Sequence, residues 1–332
     1  MENKNKNLIV TLADNNYADT AKQLFSSLYF NSGWEGDYLL ITDDGLKAET
    51  KAWFEEKGII VYSPPLIETD SFKYQERKFP PLLLSEFYLF TDYFKKWDKI
   101  IFLDSDIIVT ASLNPLLNLT GFNALKIANF CLRNEFSQDK QLLEKTQLTK
   151  NYNLSAPAFN SGVFVFDTSI IKPDTLDTLI ALYRRYKTIG LYGDEPILNL
   201  YFYQNWSEIP VSYNLDPNYI REYYGLKPEQ NVAAVIHCGW SKKPWDEASP
   251  YYPLWLENLK KADKIDLSNR LSATKEISAE EIKKFNRRLK RNHWPRRIYL
   301  LLDRQIGRLG KIINKYFPKL YKLIKPNNGK QS

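Results

Sequence analysis

An α/β fold with a mostly parallel sheet flanked by helices is predicted by three features of this 332-residue chain. Uninterrupted apolar runs such as "LIVTL", "IIVY" and "KIIFL" lack polar alternation, as strands covered on both faces do. Helix-like segments with apolar residues every three or four positions separate them, so strand and helix alternate four times before residue 110. Two aspartates, Asp104 and Asp106, close the fourth run, where ligands bind in such sheets.

Taken in order, "NLIVTLADNNYADTAKQLFSSLYF" reads as strand, polar turn and helix, the helix stripe being Ala21, Leu24, Phe25 and Leu28. "GDYLLITDDGL" reads as a second strand, "KAETKAWFEEKG" as a helix stopped by Gly58, and "IIVYSPP" as a third strand. "PPLLLSEFYLFTDYFKKWD" is expected to be helical and to lead into the fourth strand. Residues 118–157 lose this rhythm and are expected to form an excursion over the site, with "FSQDKQLLEKTQLTKNYNL" helix-prone. A strand returns at "FNSGVFVFDTSIIKP", followed by helices in "TLDTLIALYRRYKTIG" and "GDEPILNLYFYQNW" and a last short strand in "AAVIHCGW".

Composition bounds the function. At 44% hydrophobic and 14% aromatic residues the chain has ample material for a core. The net charge of +7 conceals a division: residues 275–332 carry 17 Lys and Arg against 4 Asp and Glu, the rest 29 against 35. A mildly acidic body over residues 1–262 is therefore expected to carry a basic, amphipathic helical tail over 263–332. In 298–324, Leu302, Ile306, Leu309, Ile313, Phe317, Leu320 and Ile324 recur at steps of three and four, with Arg304, Arg308, Lys311, Lys315 and Lys322 opposite them. Such a helix suits the headgroup plane of an anionic membrane, assigned here to 290–325. A helix docked on the body would show the same pattern, and nucleic acid is not the expected partner. No apolar stretch reaches ~18 residues. The N-terminus lacks a signal-peptide pattern, and two cysteines, Cys131 and Cys238, make no disulfide framework. The expected location is the cytoplasm, at the inner face of the cell membrane.

The chemistry centres on Asp104-Ser105-Asp106. In a strand, residues i and i+2 project to one side, roughly 6.5–7 Å apart, so the two carboxylates suit a hard divalent cation that bridges to phosphate. A turn with solvated aspartates would account for the pair equally well. His237 ends "AAVIH", where a histidine is as readily structural as ligating; its sequel "HCGWSKKPW" adds Gly239, which permits close backbone approach, and the cations Lys242 and Lys243. An imidazole beside two carboxylates shifts the expected ion toward Mn²⁺, with Mg²⁺ as the alternative. "GDEP" reads either as a site with two acids, Asp194 and Glu195, or as a helix N-terminus whose dipole favours them.

In this order, "FLDSDIIV", "FNSGVFVFD", "GDEPILN" and "HCGWSKKPW" resemble glycosyltransferase family 8, which includes glycogenin and the bacterial lipooligosaccharide galactosyltransferases. "VTLADNNYADTAKQLFSSL" resembles that family's nucleotide-binding first strand and helix, and the resemblance covers about residues 7–246. It implies a type A glycosyltransferase fold with a Rossmann-like sheet, and Mn²⁺-dependent, retaining transfer of a hexose from a UDP-sugar to a glycan or lipid-linked acceptor. It further implies Asp104, Asp106 and His237 as metal ligands and Lys243 at the diphosphate, with Ser105 and Gly239 beside them. By the same resemblance Leu12, Ala13, Asn15 and Tyr17 hold the uridine, Asn160 and Ser161 line the sugar, and Asp194 binds its hydroxyls. Relatives usually carry Gln where this chain has Glu195, and many carry a basic residue where "LLLSEFYLF" has Glu86; Arg77 or Lys78 would be the substitutes. Two rival readings are a self-glucosylating primer using Tyr219, Tyr223 or Tyr224, and a metal-dependent nucleotidyltransferase. The latter would want a Gly- and Lys/Arg-rich first loop, which "ADNNYAD" is not.

Overall fold

The computed structural model describes residues 6–68, 80–239 and 242–293, with the backbone of 73–74 and 77–78. Strands β1 (Asn7–Leu12), β2 (Asp37–Ile41) and β3 (Ile60–Tyr62) run parallel, and β4 (Lys99–Leu103) lies parallel on the other side of β1. Successive residues of these strands enter two different cores. Leu8, Val10, Ile100 and Phe102 face one, while Ile9, Ile101 and Leu103 face the other. Burial on both faces is why the sequence shows no alternation there.

Beyond β4 the chain turns, and β5 (Ile107–Val109) leaves this sheet. The sheet is completed by β6 (Phe122–Cys131), β7 (Pro157–Asp167) and the two-residue β8 (Ser207–Glu208), in the order β8-β6-β7-β4-β1-β2-β3. β7 is antiparallel to both its neighbours, so the sheet is mixed but mostly parallel. A last strand, β9 (Val235–His237), pairs antiparallel with β5 outside the main sheet. Helices α1 (Ala18–Asn31), α2 (Ala48–Glu56), α3 (Thr175–Tyr186), α4 (Glu195–Tyr201), α5 (Pro217–Tyr224), α6 (Tyr252–Lys261) and α7 (279–293) complete the fold.

Three expectations change. Residues 81–96 are 3₁₀ segments, Pro81–Phe90 and Asp92–Lys96, and they bury Glu86 against the sheet. The stretch 118–157 opens with a full sheet strand, β6, whose register with β7 shifts twice; those irregularities erase the period-two pattern. Its second half is helical as expected, at Lys140–Thr146 and Leu148–Asn151.

The third change concerns the tail. Residue 262 is no break in the packing. Ala262, Ile265 and Ile277 are buried in the core that holds Ile9, Leu24 and Phe25. The intervening backbone is tied down by Ser112 N–H to Lys275 O (2.8 Å) and Thr274 N–H to Asn31 O (3.1 Å). On α7, Phe285 and Leu289 bury against Leu215, Ile220 and Leu226, and charge composition alone gives no sign of such apolar anchors. The membrane-type stripe of 298–324 lies outside the described residues, as do the side chains of Arg77 and Lys78. Phe285→Ala should therefore destabilise the whole protein by about 3 kcal/mol. An unchanged melting temperature would show that α7 does not share in its folding.

Candidate active site

β4 ends at Leu103, and Asp104-Ser105-Asp106 form a turn rather than continuing as strand. The two carboxylates therefore converge instead of standing a strand spacing apart. The β5–β9 register pairs His237 with Ile107, which puts the imidazole beside that turn. His237 Nε2 lies 3.5 Å from Asp104 Oδ2 and 3.3 Å from Asp106 Oδ1, and one ligand atom from each residue falls within 4.8 Å of the others. Lys243 Nζ pairs with Asp106 Oδ2. Two glycines make room for this cluster. A Cβ on Gly162 would overlap the His237 ring and lie 2.7 Å from Asp104 Oδ2, and one on Gly239 would lie 3.0 Å from His237 Nε2.

The tautomer of His237 follows from a chain of amides. Gly162 N–H donates to Asn160 Oδ1 (3.2 Å), which fixes that amide so that its Nδ2 faces Glu195 Oε2 (2.8 Å). Asn214 Nδ2 also donates to Asn160 Oδ1 (2.8 Å), so Asn214 Oδ1 faces His237 Nδ1 (2.8 Å). An amide oxygen only accepts, so Nδ1 carries a proton and Nε2 points at the aspartates. Sequence reasoning missed Asn214. It sits in "SYNLDP" with no spacing that sets it apart from an ordinary buried asparagine.

Whether these residues suit a divalent cation is tested by their unsatisfied atoms. Asp106 Oδ1 is buried and accepts no hydrogen bond, and Nε2 is aimed at it. Two carboxylates and one imidazole form the donor set of an Mn²⁺ or Mg²⁺ site, and the residues fit. Burial works against a charged Asp106, but His237 and Lys243 outweigh it and hold the carboxyl well below its usual range. Burial likewise opposes a charged His237, yet Asp106 and Asp104 raise it to about 9.

A second group lies at the start of α4. Asp194 and Glu195 are both buried. Glu195 Oε2 accepts from Asn160 Nδ2, Ser161 N–H (2.8 Å) and Ser161 Oγ (3.3 Å). Burial raises Glu195 to about 7 despite those donors. Burial and the charge of Asp104 raise Asp194 to about 8. Asn199, one turn along, holds α4 to β7 through both backbone groups of Phe159 (2.9 Å each). Glu86 hydrogen-bonds Asp194, and burial followed by Asp194 lifts its carboxyl well above the ordinary range. In this structure, then, Glu86 is a partner of Asp194.

The residues expected at the uridine follow β1. Leu12 and Ala13 lie at the end of the strand, and Asn15 is engaged with the next loop through Gly45 O and Lys47 N–H (2.9 Å). Tyr17 is 43% exposed and meets Trp245 edge-on at 5.8 Å. Ser105 is half-buried in the turn. On the far side of His237 a cavity of about 610 Å³ opens. His237, Asn160, Asn214, Tyr219, Tyr224 and His293 are among the residues that line it.

A mixed sheet of this order, with paired aspartates after a central strand, defines a type A glycosyltransferase fold. The galactosyltransferase LgtC, solved in complex with donor and acceptor sugar analogs, superposes with a TM-score of 0.56 at 19% identity, covering 83% of this chain and 99% of that one. The model of Glycosyl transferase family 8 matches residues 8–249, and the chain belongs to that family. Among curated relatives, glycosyltransferase GlyF of Streptococcus pneumoniae is 24% identical over 255 residues, 73% of this chain and 58% of GlyF. Galactinol synthase 4 of Arabidopsis thaliana is 25% identical over 167 residues, 46% of this chain and 47% of that protein. The chain thus spans about half the length of these relatives. No helix among the described residues is long and apolar enough to cross a membrane.

Asn214→Ala removes the partner that orients His237 and should weaken Mn²⁺ binding about 10- to 100-fold, as loss of such supporting contacts does elsewhere. Titration calorimetry with Mn²⁺ checks this, and wild-type affinity in the variant would refute the orienting role.

Proposed function

We propose that this chain is a retaining hexosyltransferase that moves a hexose from a UDP-sugar to a glycan or lipid-linked acceptor. One observation carries the reading: Asp104, Asp106 and His237 converge beside Lys243, and two amides link that group to Glu195. Breaking a sugar–diphosphate bond leaves negative charge on the diphosphate and positive charge at the anomeric carbon. A divalent cation, Mn²⁺ by the donor set, would be held by Asp104, Asp106 and His237 and would supply Lewis-acid stabilisation of the leaving diphosphate. Lys243, which pairs with Asp106, would turn its charge to the same diphosphate.

At the other end, Glu195 presents a carboxylate to the sugar. With Oε2 held by three donors it is a fixed negative charge more than a free nucleophile. That favours stabilisation of the oxocarbenium-like centre while the acceptor enters on the leaving-group face, the geometry that retains configuration. Asp194, with Glu86 behind it, suits the sugar hydroxyls. The cavity beyond His237 is of a size typical for ligand sites, and its tyrosines and polar groups suit an acceptor sugar. The primer reading loses support from Tyr219, whose hydroxyl already donates to Ala128 O (2.7 Å).

The test is turnover of a panel of UDP-sugars with Mn²⁺. Asp106→Ala should abolish it and leave the fold intact, while Glu195→Gln should keep a measurable fraction. Chelator-resistant turnover, or full activity of Asp106→Ala, would refute the metal assignment. Near-complete loss in Glu195→Gln, with a hexosyl adduct on Glu195 of the wild type, would replace stabilisation by covalent catalysis.

The acceptor reading extends to location. The basic α7, with Lys283, Lys284, Arg287, Arg288, Lys290 and Arg291, leads into the amphipathic pattern of 298–324, which supports docking on the anionic inner face of the cell membrane. Co-sedimentation with anionic vesicles should fall steeply with salt. Equal sedimentation with neutral vesicles would reject it.

A further inference from the structure

Glu135 closes a 3₁₀ turn, Leu132–Glu135, that follows β6. Its neighbours clamp it to the loop ahead of α4: Leu191 N–H donates to Glu135 O (2.9 Å), Ser137 N–H donates to Ile189 O (2.7 Å), and Phe136 bridges Gly190. The side chain is fully buried, and neither Oε1 nor Oε2 accepts a hydrogen bond from any N–H or O–H donor among the described residues. Among the described residues, the carboxyl of Glu195 is the side chain that hydrogen-bonds with it.

Two ionised carboxylates in contact, both out of water, repel strongly, and a single shared proton turns the contact into a hydrogen bond. The surroundings decide where that proton resides. Glu195 Oε2 takes three donors, which favour its ionised form. Among the described residues Glu135 has no N–H or O–H donor to stabilise a charge. We propose that Glu135 is a positioning residue, a neutral carboxylic acid that donates its proton to Glu195 and fixes that carboxylate in the sugar site. Burial, then Glu195, pushes the Glu135 carboxyl well above its ordinary 4.5, with Asp194 on α4 and Cys131 ahead of the turn acting in the same direction.

This arrangement has a pH signature. The folded protein keeps a proton that the unfolded chain releases above about 4.5. The stability contributed by Glu135 is thus complete below that pH and is lost as pH rises toward the folded-state value. Ionisation also removes the donated hydrogen bond and sets a second negative charge against Glu195. Gln at position 135 keeps a donor and cannot ionise, while Leu keeps neither donor nor charge.

The experiment compares wild type, Glu135→Gln and Glu135→Leu. The infrared difference between wild type and Glu135→Gln at pH 7 should contain the carbonyl band of a buried neutral acid; Glu86 and Asp194, present in both proteins, cancel. The fall of melting temperature between pH 5 and pH 9 should be shallower in Glu135→Gln. With Mn²⁺ and UDP-sugar, Glu135→Leu should lower kcat about tenfold or more with donor KM within about threefold, and Glu135→Gln should recover most of the loss. Absence of the acid band, an unchanged pH slope, or equal impairment of the two variants overturns the proposal. The kinetic arm rests on the role proposed for Glu195. If the wild type turns over no UDP-sugar, that role fails, while the infrared and melting arms still decide the state of Glu135. Should Glu135→Leu fail to fold, Glu135→Gln alone decides it in those same two arms.

Discussion

Crowding of carboxyl groups is the constraint on which the rest of this site depends. Asp104, Asp106, Glu86, Glu135, Asp194 and Glu195 cluster at one end of the sheet, and among the described residues His237 and Lys243 are the cations in contact with them. Six buried or half-buried acids cannot all stay ionised against two cations. The structure resolves the excess differently in its two halves. Around the turn after β4, charge is matched by charge, and an unsatisfied oxygen on Asp106 remains for a metal. Around α4, two acids are each backed by a further acid, an arrangement that favours protons held within the pairs.

The halves are not independent. Asn160 touches Glu195 with one end of its amide and Asn214 with the other, and Asn214 holds His237. Each amide has a fixed direction because Gly162 N–H anchors the chain of donors. Glu195 and the imidazole are therefore joined through two oriented amides. Gly162 serves twice: its N–H orients Asn160, and its missing Cβ leaves space for His237 and Asp104.

Much of this was legible in the sequence, for physical reasons that can be named. Strands buried on both faces write unbroken apolar runs, which is why β1, β2, β4 and the following aspartates stood out. The ordered motifs carried Asp104, Asp106, His237, Asn160, Asp194 and Glu195 because chemistry restricts those residue types. Glu135, Asn214 and the partnership of Glu86 with Asp194 were invisible, since each depends on a contact between segments far apart in the chain. β6 was missed because its register shifts break the period-two pattern, and the carboxylate geometry because a turn replaces the strand after Leu103.

The C-terminal segment shows how charge can mislead about packing. Its excess of Lys and Arg separates it from the body by composition, yet Ile265, Ile277, Phe285 and Leu289 are buried in that body. The two facts agree once they are assigned to different faces of one segment. Apolar residues at i, i+3 and i+7 of α7 (Ile282, Phe285 and Leu289) turn inward, and the basic residues are left to water. The same helix also reaches the cavity beside His237, where Leu289 and His293 are among the lining residues. α7 lies outside the region matched by the family, residues 8–249. One wall of the cavity is thus supplied by a segment that the family pattern does not specify.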